Sequence, residues 1–267
     1  MSWRLRVPIL TYHSLDDSGS VVSVAPESFR AQMDALARWG YAAIGLGELL
    51  DLWDGGAEPE RRPVVITFDD GFADLLDYAL PVLAEHGFSA TVFAVSAYCG
   101  STNDWPSQPA HIPRLPLMTA GQLREMAAGG IEIGAHSVHH VPLDHLGPNE
   151  AEEEIVRSGS MLEDATGAAV RTFCYPYGRA GAAVRRTVAT HYDGAVSSRL
   201  GTADVRCDRH WLPRIEMHYL RSPGLFRLYH GPLGGAYLGL RAIGRACRSA
   251  LVPRFQGRRA AARGGQP

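Results

Sequence analysis

Residues 64–72 read VVITFDDGF, and the fold turns on how that run ends. Five residues suited to a buried strand lead without a break into Asp69 and Asp70, and Gly71 then lets the backbone turn through angles other residues avoid. The apolarity is continuous rather than alternating. That is the pattern of a strand covered on both faces, as in a parallel sheet with crossover helices. An isolated Asp-Gly pair is ordinary turn chemistry. Two adjacent acids after a buried strand are different, because side chains alternate along extended backbone. One carboxylate can bind a cation while the other stays free as a base.

Working outward, helical and strand patterns alternate. Apolar periodicity predicts helices over 26–39, 72–86, 119–128 and 149–165, the last stopped by Gly167. Short apolar runs at 7–12, 41–44, 64–68, 90–95, 131–135, 171–174, 194–197 and 212–217 read as strands. About eight strands separated by helices is a barrel number, so an α/β fold is expected, a (β/α) barrel that is irregular or incomplete. In such a barrel the chemistry gathers on the rim where the strands end.

The 267 residues are ample for one full core, and 46% hydrophobic and 20% charged residues exclude a disordered chain. All 26 basic residues are arginine. The net charge of −2 hides an asymmetry, since nine arginines and no acid follow Glu216. The expected division is a barrel over 1–223 and a basic extension over 224–267. Cys99, Cys174, Cys207 and Cys247 are scattered with no CxxC pair, so neither a disulfide framework nor a thiolate zinc site is indicated. With no signal-peptide pattern and no run of about 20 apolar residues, the expected location is cytoplasmic.

Three further stretches carry candidate chemistry. In IEIGAHSVHHVPLDHL (131–146), His136 and His140 stand four apart, a spacing suited to two imidazoles on one metal; His139 and His145 crowd the same stretch. One carboxylate and two imidazoles leave a coordination position for water. RTFCYPYGR (171–179) reads as a Pro-Tyr-Gly turn after a strand, with Arg171 a cation able to hold a carboxylate and the turn offering a backbone N–H to an oxyanion. WLPRIEMHY (211–219) alternates Arg214 and Glu216 on one face, with Asp208 upstream.

TFDDG, then H-S-x-x-H, then R-x-x-x-x-P-Y resembles in order and identity the NodB-type polysaccharide deacetylases, carbohydrate esterase family 4, over roughly residues 64–178. The resemblance implies a distorted (β/α)7-type barrel, Asp69 as general base, and Asp70, His136 and His140 as metal ligands. It also implies Arg171 holding the base and the Tyr177 backbone amide as oxyanion donor. The family's late L-x-x-H motif has no convincing copy after Arg171, whereas Leu10-Thr-Tyr-His13 matches it at the other end of the chain. That resembles the circularly permuted branch, which includes deacetylases of poly-β-1,6-N-acetylglucosamine. His13 would then be the general acid, and a carboxylate orienting it would keep it protonated. Glu216, Asp208 and Arg214 are the candidates for that surrounding shell.

The implied reaction is metal-dependent hydrolysis of an N-acetyl group on an amino sugar, in a polysaccharide or in a lipid- or nucleotide-linked precursor. Zinc suits the ligands, and Fe²⁺, Co²⁺ or Ni²⁺ fit the same set. Trp105 and Trp211 are candidates for stacking on sugar rings. The alternatives are a metal amidohydrolase acting on a small non-sugar amide or imide, and a non-catalytic carbohydrate-binding protein of the same fold. No nucleic-acid partner is expected. The arginine-rich tail has two readings, a packing helix with a frayed end or weak contact with an anionic membrane surface.

Overall fold

The computed structural model describes residues 6–55, 58–231, 234–237 and 239–241. Among these, eight strands form a parallel sheet: β1 (Ile9–Tyr12), β2 (Tyr41–Ile44), β3 (Arg62–Phe68), β4 (Thr91–Ala94), β5 (Glu132–Ala135), β6 (Thr172–Cys174), β7 (Gly194–Leu200) and β8 (Leu212–Glu216). They alternate with helices α1 (Pro26–Arg38), α2 (Leu46–Gly55), α3 (Leu75–Glu85), α4 (Ala120–Ala128), α5 (Pro148–Thr166) and α6 (Ala182–His191), and α7 (Pro223–His230) follows β8.

The four helices expected from periodicity form as α1, α3, α4 and α5. Residues 72–74 are not helical: Phe72 bridges antiparallel to Leu117, and the Ala73 amide donates to the Pro116 carbonyl. Two helices lie outside the sequence expectation. In α2, Leu46, Leu49, Leu50 and Trp53 are all buried, so polar residues do not mark a clean face; in α6 only Val184 and Val188 are buried, and the stripe is too thin to read.

Seven of the strands close a ring in the order β1-β8-β7-β6-β5-β4-β3, and β3 returns to β1. The eighth strand shares an edge. Ile44 of β2 and Ile9 of β1 both align with Val65, so β2 takes the N-terminal half of the β3 edge and β1 takes the half leading to Phe68. This makes a distorted (β/α)7–8 barrel, with its first strand seated entirely toward the mouth. Two further irregularities shape that mouth. β5 and β6 align through Ala135 and Phe173, and the β7–β8 register slips between Val196↔Leu212 and Leu200↔Arg214.

Alternation along the strands divides inside from outside. Ile9, Val65, Phe93, Cys174, Val196 and Leu212 fill the interior and continue into Leu46, Leu49, Leu50 and Trp53 of α2. The opposite faces pack outward: Tyr12, Phe68 and Phe29 of α1 stack with ring centroids 5.2–5.7 Å apart, and the Tyr12 hydroxyl donates to Gln32. Two residues farther along the inward face come the buried Thr11 and Thr67, and two beyond those, just past the ends of β1 and β3, come His13 and Asp69.

The chain divides into two compact units, 1–227 and 228–267, and all eight strands lie in the first. In the second, residues 234–237 and 239–241 are helical. Most of the basic extension expected over 224–267 therefore lies outside the described residues. Among the described residues no helix is long and apolar enough to cross a membrane.

Candidate active site

The C-terminal ends of β1, β3, β5, β6 and β8 converge on one cluster of buried polar side chains. Asp69 and Asp70 leave β3 in different directions, because Asp70 adopts a left-handed conformation (φ 71°). Ser137, His140 and Tyr177 are the other non-glycine residues with positive φ among those described, and all three belong to loops at this same mouth. Each such conformation costs on the order of 1–3 kcal/mol and concentrates where surrounding structure enforces it.

Asp70 Oδ1 lies 3.5 Å from His136 Nε2 and 3.3 Å from His140 Nε2. Donors about 2.0–2.2 Å from a tetrahedral ion sit roughly 3.3–3.5 Å apart, so this spacing fits one divalent cation. Both rings are oriented from behind. His136 Nδ1 is 2.7 Å from the Cys174 carbonyl, and His140 Nδ1 is 3.2 Å from the Tyr177 hydroxyl, which leaves the two Nε2 atoms facing Asp70. Burial, then the neighbouring His136, holds the His140 imidazole well below its ordinary pKa, in the neutral form a metal requires. Burial raises the Asp70 carboxyl, against the pull of His13 and His136. Asp69, His136 and Cys174 also approach one another. Arg214 occupies both Asp69 oxygens, and burial pushes the Cys174 thiol up, so that trio suits a cation less well.

Asp69 is 4% exposed and is held by Arg214 of β8, with Nη1–Oδ1 and Nη2–Oδ2 both 2.7 Å. Arg214 is buried too, and is itself fixed by Ser197 O (3.0 Å), Thr67 Oγ1 (3.1 Å) and Cys174 Sγ (3.2 Å). Burial alone would raise the Asp69 pKa, but the charge and hydrogen bonds of Arg214, aided by His13, hold it well below the usual carboxylate range. The β7–β8 slip falls beside this arginine, as irregularities that re-aim a side chain do.

His13 projects between two carboxylates, with Nε2 3.9 Å from Asp69 Oδ2 and Nδ1 3.9 Å from Glu216 Oε1. Burial lowers its pKa, but Glu216, Asp69 and Asp70 outweigh burial and the net direction is upward.

Several expected assignments require correction. Arg171 does not touch Asp69. It precedes β6 at the foot of the barrel and pairs with Asp51 and Asp193 at 2.6 Å each; Arg214 holds Asp69 instead. Asp208 precedes β8 and pairs with Arg185 at 3.4 Å, so Glu216 is the carboxylate facing His13. Trp211 also precedes β8 and packs on Tyr175 beneath the Arg185 guanidinium. Trp105 is 2% exposed with its ring 4.2 Å from that of His140, so it backs that imidazole rather than presenting a platform for sugar. His139 and His145 point elsewhere, to Glu154 (2.5 Å) and Arg179 (2.9 Å).

Sequence reading missed three supporting residues. Ser107 joins the Tyr177 hydroxyl (2.7 Å) to the His140 carbonyl (3.1 Å). Glu154 of α5 accepts from the Val138 and His139 amides. Ser137 Oγ accepts from the His140 amide at 2.9 Å, a local turn that the Ser within H-S-x-x-H could have signalled.

A family profile described as polysaccharide deacetylase matches residues 56–192, which carry Asp69, Asp70, His136, His140 and Tyr177. The chain belongs to the polysaccharide deacetylase family. Membership makes it a hydrolase of carbon–nitrogen bonds. YxkH of Bacillus subtilis (strain 168) is 29% identical over 234 residues, 87% of this chain and 76% of that protein. A poly-beta-1,6-N-acetyl-D-glucosamine N-deacetylase of Staphylococcus epidermidis is 28% identical over 165 residues, 58% of this chain and 54% of that enzyme. Among solved structures, the Streptococcus pyogenes deacetylase PplD, in complex with acetate, aligns with TM-score 0.69 at 23% identity, covering 80% of this chain and 92% of PplD. IcaB from Ammonifex degensii aligns with TM-score 0.68 at 22% identity, covering 83% and 94%. The polysaccharide deacetylase barrel is thus shared.

Proposed function

We propose that this polysaccharide deacetylase removes the N-acetyl group from an amino sugar of a glycan, using a divalent metal held by Asp70, His136 and His140. The observation that carries the reading is the convergence of those three donors beside a carboxylate clamped by Arg214, with His13 between Asp69 and Glu216. A divalent cation held there would lower the pKa of water to about 7 and polarise an acyl oxygen. Zinc suits the donors; Fe²⁺, Co²⁺ and Ni²⁺ share them.

Asp69 is kept ionised and fixed in direction by Arg214, so it takes the proton as water adds to the acetamide carbonyl. The Tyr177 backbone N–H, set by its left-handed conformation, donates to the oxyanion; such a donor is typically worth about 10²-fold or more in rate. His13 gives its proton to the departing nitrogen as the C–N bond breaks, leaving acetate and a free amine. General acid assistance of this kind contributes roughly 10² to 10⁴. The Staphylococcus relative's name makes poly-β-1,6-N-acetylglucosamine the first substrate to try, followed by lipid- and nucleotide-linked precursors.

The test is acetate release from these substrates and from a panel of small amides, after chelation and again after metal is restored. Metal-dependent acetate from an N-acetylated glycan is expected. Turnover confined to a non-sugar amide, or sugar binding without acetate from metal-replete protein, overturns the reading.

A further inference from the structure

Directly after His13, Ser14 is buried, and its Oγ lies 2.5 Å from Asp16 Oδ2 and 2.5 Å from Asp74 Oδ2. A hydroxyl carries one hydrogen, so it can donate to only one of the two carboxyls. Two oxygens this close with no hydrogen between them repel. The second carboxyl must therefore bring a hydrogen of its own.

The surroundings say which one. Asp16 is already matched to the ionised form, accepting from the Ser18 amide and the Ser23 hydroxyl at 2.7 Å each. A contact of 2.5 Å from Ser14 suits O–H···O⁻. Asp74 lies deeper. It occupies the N-cap position of α3 yet makes no side-chain cap bond to its own helix, turning instead to Ser14. Burial raises its pKa, the anions Asp16 of the β1–α1 loop and Asp77 of α3 add to the effect, and hydrogen bonds from Ser14 and the Leu15 amide oppose it.

We propose that Asp74 is a neutral carboxylic acid that donates to Ser14, which in turn donates to Asp16, and that this chain positions His13. It ties the loop immediately after the candidate acid to the loop immediately after Asp69 and Asp70. The protonation state stands on the contacts around Ser14 whatever the reaction; the positioning role rests on His13 acting as proposed above.

Carbon-13 NMR of protein labelled at aspartate carboxyls, with Asp74 assigned by its loss in Asp74→Asn, reads the proton directly. The Asp74 signal is expected in the protonated range at pH 7, and an ionised signal overturns the proposal. In the deacetylase assay Asp74→Asn should keep kcat within about threefold, because its amide N–H can donate to Ser14 as the carboxylic acid does. Asp74→Ala should lower kcat by about 10- to 100-fold with metal affinity unchanged, the loss expected when a reacting group is misplaced. Asn losing as much as Ala overturns the positioning role. So does a second equivalent of divalent metal that persists in His140→Ala and vanishes in Asp74→Asn, which would place a cation between the carboxyls. If no substrate turns over, the reaction reading fails and the NMR result still decides the proton.

Discussion

Arg214 of β8 and Asp69 of β3 face each other across the barrel through two parallel hydrogen bonds of 2.7 Å, with both side chains about 5% exposed. Removing one partner of a buried pair strands the other charge, at a cost of about 3–5 kcal/mol. Arg214→Met is therefore expected to lower unfolding free energy by about that amount in a denaturant titration. The double variant Asp69→Asn/Arg214→Met should recover part of it. Arg214→Lys should not restore turnover, because a point charge cannot reproduce the fork.

His13→Gln should retain metal and lose about 10²- to 10⁴-fold in kcat. Glu216→Gln removes the first of the charges that raise the His13 pKa, so the imidazole gives up its proton at lower pH. The alkaline limb of the kcat profile should move toward neutrality. Stability follows the same sign. A raised folded-state pKa contributes stability that is full below the unfolded value of about 6.5 and fades as pH rises through the folded value. The parent's advantage over Glu216→Gln from this group should shrink on the alkaline side.

Tyr177→Phe deletes the hydroxyl bonded to His140 Nδ1 without replacing any of the three proposed metal ligands. Metal affinity, measured by competition with a chelating dye, should fall about 10- to 100-fold. His140→Ala should abolish binding at the same metal concentrations, and Asp69→Asn should leave it intact.

Arg171→Met is expected to leave kcat/KM unchanged and to alter stability by no more than about 1 kcal/mol. Its ion pairs with Asp51 and Asp193 are solvent-exposed, and pairs of that kind contribute little. A loss of turnover in Arg171→Met would show that Asp69 is held from both strands.

The barrel and the Asp70, His136 and His140 cluster were legible in the sequence because each is a local signal: a buried run ending in Asp69-Asp70, and two histidines four residues apart, which meet not on a helix but on a loop where Ser137 and His140 take left-handed conformations. Arg171, Asp208 and Trp211 misled for one shared reason. Each precedes its strand, and in a parallel barrel that places it at the base. Even the three residues of β6 span about 10 Å, too far for Arg171 to reach the mouth. Strand direction alone would have excluded them. Arg214 was readable only as a residue on the same face as Glu216. Its grip on Asp69 depends on ring closure and on the β7–β8 slip, neither of which leaves a mark in composition or spacing.

The pairing of Leu10 with Ile215 has a consequence for synthesis. A nascent chain makes β1 first and β8 last of the ring, so the segment bearing His13 cannot be locked on both sides until residue 216 has left the ribosome. Until then β7 presents an open edge of the sort that recruits other chains. Truncation just before β8 should accordingly yield an aggregating product, whereas removal of residues 242–267 should leave a soluble one, a contrast readable from the supernatant after lysis.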